Sequence, residues 1–211
     1  MCLIKICGLF RECDADSVNQ ALPDYAGFVF WPKSRRCISL ETAKVLKARL
    51  SPQIKTVGVF VDASPEFITD MVHKNLIHVI QLHGNETPER IEELKKSCPN
   101  TPIWKAFLIH SPKDLQRAVC TNAHMPLLDS GYGSGKLFDH SLIAEMHRPF
   151  ILAGGLTPQN LKQAIKFCSP ACVDLSSGVE TEGNKDPKKI MEAVHIAHSL
   201  PEKKGIHYDK R

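Results

Sequence analysis

Eight short runs rich in β-branched and apolar residues, at 3–7, 27–30, 56–61, 78–82, 103–108, 126–129, 150–153 and 172–175, recur along the chain at nearly even intervals. Measured at Cys7, Phe30, Val61, Leu82, Phe107, Asp129, Ala153 and Ser176, each run ends 21 to 31 residues after the one before. That gap suits one helix and two short loops, the crossover that a parallel strand needs. Helix starts inside the gaps share one device, a hydroxyl or carboxylate cap followed by Pro, at Ser64-Pro65, Thr87-Pro88, Ser111-Pro112, Thr157-Pro158 and Asp186-Pro187. Apolar residues at helical spacing follow, as in Leu115, Ala118 and Val119, or Ile190, Ala193, Val194 and Ala197. Eight such units predict a single (β/α)8 barrel over residues 1–200, compact beside the ~250 residues usual for that fold. The tail 201–211 has no apolar period and reads as a polar, solvated end.

An open doubly wound sheet is the rival architecture, but its strands, covered on both faces, should be almost wholly apolar. Here Lys5 and Cys7, Gln81 and His83, and Asp174 and Ser176 each share one face of a strand. Polar residues of one parity fit a closed interior whose upper end is a site. Lys5 and Lys105 lie deeper and are expected to be buried and paired.

The 27 Lys and Arg against 23 Asp and Glu leave a net charge of +4, scattered along the chain. This is no nucleic-acid stripe and suits a small anionic ligand. No run approaches the ~20 apolar residues of a membrane helix, and Met1 leads directly into Cys2-Leu3-Ile4-Lys5 without a basic-then-apolar leader, so a cytoplasmic protein with no membrane partner is expected. Eight cysteines in a chain able to bury a core read as reduced thiols, and Cys168 and Cys172, separated by Pro170, lack a second ligand pair for zinc. No metal or cofactor is expected.

In barrels of this kind the site lies at the C-terminal strand ends, often with phosphate on the loops after strands seven and eight. Those loops are Gly154-Gly155-Leu156-Thr157-Pro158 and Ser176-Ser177-Gly178. Glycines admit an anion close to the backbone, and free N–H groups at a helix start attract it. A further cluster, Gly131-Tyr132-Gly133-Ser134-Gly135-Lys136, is no nucleotide loop, since Ser130 and Leu137 stand where that motif needs Gly and Ser/Thr. It reads as a closing loop beside the site. Cys7, followed by Gly8, and Asp129, followed by Ser130-Gly131, sit on the same rim and suggest a base and an acid. On residue type alone, Arg35-Arg36 is an ordinary solvated basic pair.

Taken in order, Lys5-Ile6-Cys7-Gly8-Leu9, Gly27-Phe28-Val29-Phe30 with Pro32 to Arg36, Val57-Gly58-Val59-Phe60-Val61, Gln81-Leu82-His83-Gly84, Leu128-Asp129, Phe138-Asp139, Ala153-Gly154-Gly155-Leu156 and Val173-Asp174-Leu175-Ser176-Ser177-Gly178-Val179-Glu180 closely resemble the phosphoribosylanthranilate isomerases of tryptophan biosynthesis. The resemblance runs from about residue 3 to residue 199. It implies an Amadori rearrangement without metal or cofactor, with Asp129 as general acid, Cys7 as general base, Arg36 on the anthranilate carboxylate, and Gly154, Gly155, Ser176, Ser177 and Gly178 around the phosphate. His83 faces inward by parity and is a candidate substrate contact. An acid working near pH 7 needs an Asp raised above ~3.9, and a thiolate base needs positive charge near a thiol of ~8.5. The partner expected is therefore a small phosphosugar, handled by a monomer or homodimer. The alternatives are a two-aspartate aminoaldose isomerase, a metal-dependent epimerase and a non-catalytic phosphosugar-binding barrel.

Overall fold

A computed structural model describes residues 1–130 and 146–200. The Gly131 to Lys136 cluster, Phe138-Asp139 and the tail 201–211 lie outside the described residues. Eight parallel strands close into a barrel in chain order. They are β1 (Leu3–Cys7), β2 (Tyr25–Val29), β3 (Lys55–Phe60), β4 (Val79–Leu82), β5 (Ile103–Leu108), β6 (Met125–Asp129), β7 (Ile151–Ala153) and β8 (Cys172–Leu175), and β8 pairs back to β1 with Lys5 opposite Asp174.

Around them pack α1 (Glu12–Ala21), α2 (Leu40–Arg49), α3 (Pro65–His73), α4 (Pro88–Ser97), α5 (Pro112–Val119), α6 (Pro158–Cys168) and α7 (Pro187–Ser199). The cap-and-Pro device starts five of these helices. Ser64, Thr87 and Ser111 accept from the N–H groups of Phe67, Arg90 and Asp114, and Asp186 accepts from Lys188 and Lys189. At α6 the capping runs the other way, the Thr157 N–H donating to Asn160 Oδ1 at 2.8 Å. None of the described helices is long and apolar enough to cross a membrane.

Strand parity divides the apolar residues in two. Ile4, Ile6, Phe28, Phe60, Ile80, Leu82, Leu128, Val173 and Leu175 face outward under the helices in one continuous core. Leu3, Tyr25, Val57, Val79, Trp104, Leu127, Ile151 and Cys172 fill the floor of the barrel, where Tyr25 and Trp104 meet edge to face with centroids 4.9 Å apart. Cys7, Val29 and Val59 form a smaller cluster at the upper end, packed by Trp31. Between floor and mouth lie Lys5, Gln81 and Asp174, all buried.

Both deep lysines are paired. Lys5 Nζ reaches Asp174 Oδ2 at 2.8 Å, and Lys105 Nζ reaches Glu86 Oε2 at 3.2 Å and the Gly84 carbonyl at 2.8 Å. β2 begins at Tyr25, two residues before the expected start, and a hairpin of β9 (Glu180–Thr181) and β10 (Asn184–Lys185) follows the eighth strand. All eight cysteines are free.

Candidate active site

Cys7 closes β1 and Asp129 closes β6, so both stand at the C-terminal rim with β7 and β8 between them. Gly8 follows Cys7 at φ +79°, and a Cβ there would lie 2.4 Å from Arg36 Cδ. The space on the Cβ side of Gly8 is thus occupied by the Arg36 stem. Gly27 does the same one strand over, where a Cβ would stand 2.9 Å from Cys7 Sγ and 3.0 Å from Lys5 Cε. Burial pushes the Cys7 thiol above its ordinary value, and Asp174 adds to that, while Lys5 and Lys185 pull against them. The positive charge that a thiolate needs is in place, yet burial outweighs it in the unliganded protein.

Asp129 is partly enclosed. His83 Nε2 lies 3.5 Å from its Oδ2, longer than a good hydrogen bond, and the Gln81 amide reaches His83 Nδ1 at 3.3 Å. With that amide donating, the neutral imidazole carries its proton on Nε2, facing the carboxyl group. Gly154, at φ +89°, packs so tightly on this group that a Cβ would fall 2.6 Å from Asp129 Oδ1 and 2.3 Å from Ser130 Oγ. Only glycine fits there.

Arg36 is no loose surface residue. Glu180 of β9 accepts from its Nε at 2.7 Å and its Nη2 at 2.9 Å, also binds Arg35, and receives Lys185 Nζ at 2.8 Å. Arg35 donates further to the Gly183 carbonyl at 3.1 Å, tying the hairpin to the loop after β2. Glu180 uses one edge of the Arg36 guanidinium and leaves the Nη1/Nη2 edge, a second fork of matching geometry, for a ligand carboxylate. Three cations around one carboxylate also leave this flank net positive, which suits an anionic ligand.

Burial pushes the Glu180 carboxyl up, but hydrogen bonds and charge from Arg36 and Lys185 win and hold it down at about 2, against an ordinary 4.5. A depressed acid stabilises the fold above its ordinary value and loses that contribution as pH falls toward its folded value. Glu180→Gln is therefore expected to cost roughly 2 kcal/mol near neutrality, discounted for the half-exposed Arg35. The gap from the parent protein should close as pH drops from about 4.5 to 2, as followed by denaturant unfolding across that range.

The remaining candidates form a cradle. Gly154 and Gly155 (φ +61°) lead into α6, and Ser177-Gly178-Val179 makes one turn of 3-10 helix after β8. The two loops touch through backbone, since a Cβ on Gly178 would fall 1.8 Å from the Leu156 carbonyl oxygen. Gly155 has nothing within 4 Å on its Cβ side. Among the described residues, the N–H groups of Gly155, Ser177 and Gly178 find no acceptor. Unpaired backbone N–H groups of this kind are what helix starts offer to anions. The Ser176 hydroxyl donates to the Cys7 carbonyl at 3.1 Å and ties β8 to β1.

Comparison with known proteins places the architecture. The family model described as N-(5'phosphoribosyl)anthranilate (PRA) isomerase matches residues 4–195. The chain belongs to the PRA isomerase family. A curated member from Acetivibrio thermocellus is 42% identical over 207 residues, covering 92% of this chain and 94% of the relative. The crystal structure of the Thermotoga maritima phosphoribosyl anthranilate isomerase superposes with a TM-score of 0.87 at 37% identity, over 95% of this chain and all of that one. Another PRA isomerase structure, solved in complex with reduced 1-(o-carboxyphenylamino)-1-deoxyribulose 5-phosphate, gives 0.84 at 36% identity, with 95% and 100% covered. Two features of this family member went unnoticed in the sequence. Glu180, quoted only as part of a motif, is the anchor of Arg36, and Lys185 completes that cluster. The signal for their hairpin is Glu182-Gly183, both at positive φ in the turn between β9 and β10.

Proposed function

We propose that this chain converts N-(5-phosphoribosyl)anthranilate to 1-(2-carboxyphenylamino)-1-deoxyribulose 5-phosphate, an Amadori step of tryptophan biosynthesis. The observation that carries the assignment is the rim itself. A thiol and a carboxyl group end strands of one closed ring, with an arginine fork on one flank and unpaired backbone donors on the other. An arginine fork and backbone anion donors on one rim suit a substrate that carries both a carboxylate and a phosphate.

In this reading the phosphate lies on the N–H groups of Gly155, Ser177 and Gly178, and the anthranilate carboxylate takes the open edge of Arg36. Asp129 gives its proton to the furanose ring oxygen. The C1–O bond breaks, and the nitrogen lone pair forms the C1=N iminium. The Cys7 thiolate then removes the proton from C2. The C–H electrons make the C1=C2 bond and the iminium nitrogen recovers its pair, giving an enolamine that tautomerises to the ketone. The iminium acidifies that C–H, so a modest base suffices. His83 orients Asp129. The pair resists the two-aspartate alternative, because a cysteine stands where that chemistry uses a second carboxylate. The eight free thiols support a reducing compartment, the cytoplasm, and a monomer or homodimer is equally compatible with the barrel.

The test is direct. Purified protein mixed with freshly generated phosphoribosylanthranilate should speed the loss of anthranilate-type fluorescence. Saturable binding of the phosphosugar without any acceleration would instead make this a non-catalytic barrel.

A further inference from the structure

Lys5 is wholly buried, with its ammonium inside the barrel beneath the mouth. A lysine so placed is costly unless its protons are used. One goes to Asp174 Oδ2 at 2.8 Å, and Cys7 stands beside Lys5 on the same face of β1. Gly27 clears the space for both, since a Cβ there would strike the sulfur and the lysine stem together. The geometry is a line of three groups, carboxylate, ammonium and sulfur, drawn from adjacent strands β8 and β1.

We propose that Lys5 is a positioning residue for Cys7: its ammonium, pinned by Asp174, donates a hydrogen bond to Sγ, holds the sulfur toward the reacting carbon and steadies its anionic form. This rests on the reading of Cys7 as the base. The Lys5–Asp174 pair could be merely a structural plug of the barrel, but a plug has no need of a third group, and the Lys5 stem and Cys7 Sγ border the same space beside Gly27. The charged groups that bear on the sulfur are Lys5 on β1, Asp174 on β8, Lys185 on β10 and Arg36 after β2. Lys185 and Arg36 are held by Glu180 on β9, whereas Lys5 is held by Asp174 within the barrel and shares the face of β1 with Cys7. Burial alone would lower the Lys5 ammonium, yet Asp174 and Cys7 together keep it raised and protonated over the working range.

The experiment is the pH dependence of Cys7 alkylation by iodoacetamide in the full-length protein, followed at that one cysteine by peptide mass spectrometry. Lys5→Met should slow alkylation at pH 8 by at least about tenfold, one pK unit, and move its midpoint upward. The unpaired Asp174 that this variant leaves behind endangers folding, so Lys5→Met/Asp174→Leu removes the pair as a unit. Its profile should fall between the other two, because losing Asp174 also removes a group that opposes the thiolate. In both variants kcat should drop with the alkylation rate while KM stays near the parent value. Unmoved alkylation profiles in a folded variant would overturn the proposal, whatever the activity. Full turnover by Cys7→Ala would sink the base assignment, yet it would leave the alkylation shift, and with it the coupling of lysine to sulfur, intact.

Discussion

An Asp129→Asn enzyme is expected to bind substrate almost normally and to turn it over about 10²- to 10⁴-fold more slowly. Asparagine keeps the shape that Gly154 packs against and can still meet His83, but it has no acidic proton for the ring oxygen. Because the loss falls on a step reached only in the transition state, kcat and kcat/KM should decline together in steady-state kinetics. Cys7→Ala should cost a similar factor through the other half of the reaction. The two losses should not simply add, since whichever step is crippled becomes rate-limiting. Their pH dependence also differs. Burial raises the free Cys7 thiol above its ordinary value, so the residual kcat/KM of Asp129→Asn, which has no acid to keep protonated, should rise with pH as the thiolate fraction grows, whereas in the parent the loss of the Asp129 proton offsets that gain. In the proposed scheme the iminium formed after Asp129 acts would put a positive charge near the sulfur, favouring the thiolate when it is needed. Equal activity of the parent and Asp129→Asn enzymes would remove the acid from the scheme.

The barrel was legible because its information is local and repeated. Cap, Pro and apolar stripe recur within each unit, and strand parity alone separated Ile4 and Ile6 under the helices from Lys5 and Cys7 inside the ring. The polar ends of the strands were legible for the same reason. What the residues could not show is which partners meet, because those contacts join distant parts of the chain. Arg36 reads as a solvated arginine until Glu180, 144 residues later, is seen to hold it. Lys5 reads as buried and paired, but Asp174 is 169 residues away and the space that Lys5 and Cys7 occupy is kept open by Gly27 of a third segment. Ser176 is another contact that joins distant segments. A hydroxyl in a phosphate loop suggests a donor to the ligand, yet the closure of β8 on β1 claims it for the Cys7 carbonyl. The backbone beside it supplies the free donors.

That backbone gives the second large effect. Gly178→Ala should raise KM for the phosphosugar roughly 10- to 100-fold, on the scale of what a displacement of about 1 Å costs a positioned site. A Cβ placed 1.8 Å from the Leu156 carbonyl oxygen cannot be absorbed by a side-chain rotation, so one of the two loops must move away from the other. The cradle depends on both loops, and separating them takes the N–H groups of Ser177 and Gly178 away from that of Gly155. Gly155→Ala is the matched control. It meets nothing within 4 Å, and its only burden is φ +61°, worth about 1 kcal/mol for a residue with a Cβ. It should therefore change KM only a few-fold. Inhibition by the phosphate-bearing product analogue, measured beside substrate kinetics and a thermal melt, separates lost anion binding from lost folding. Tight inhibition retained by a folded Gly178→Ala protein would show that phosphate is held elsewhere, because no arrangement of these two loops accommodates both that methyl group and an undisturbed cradle.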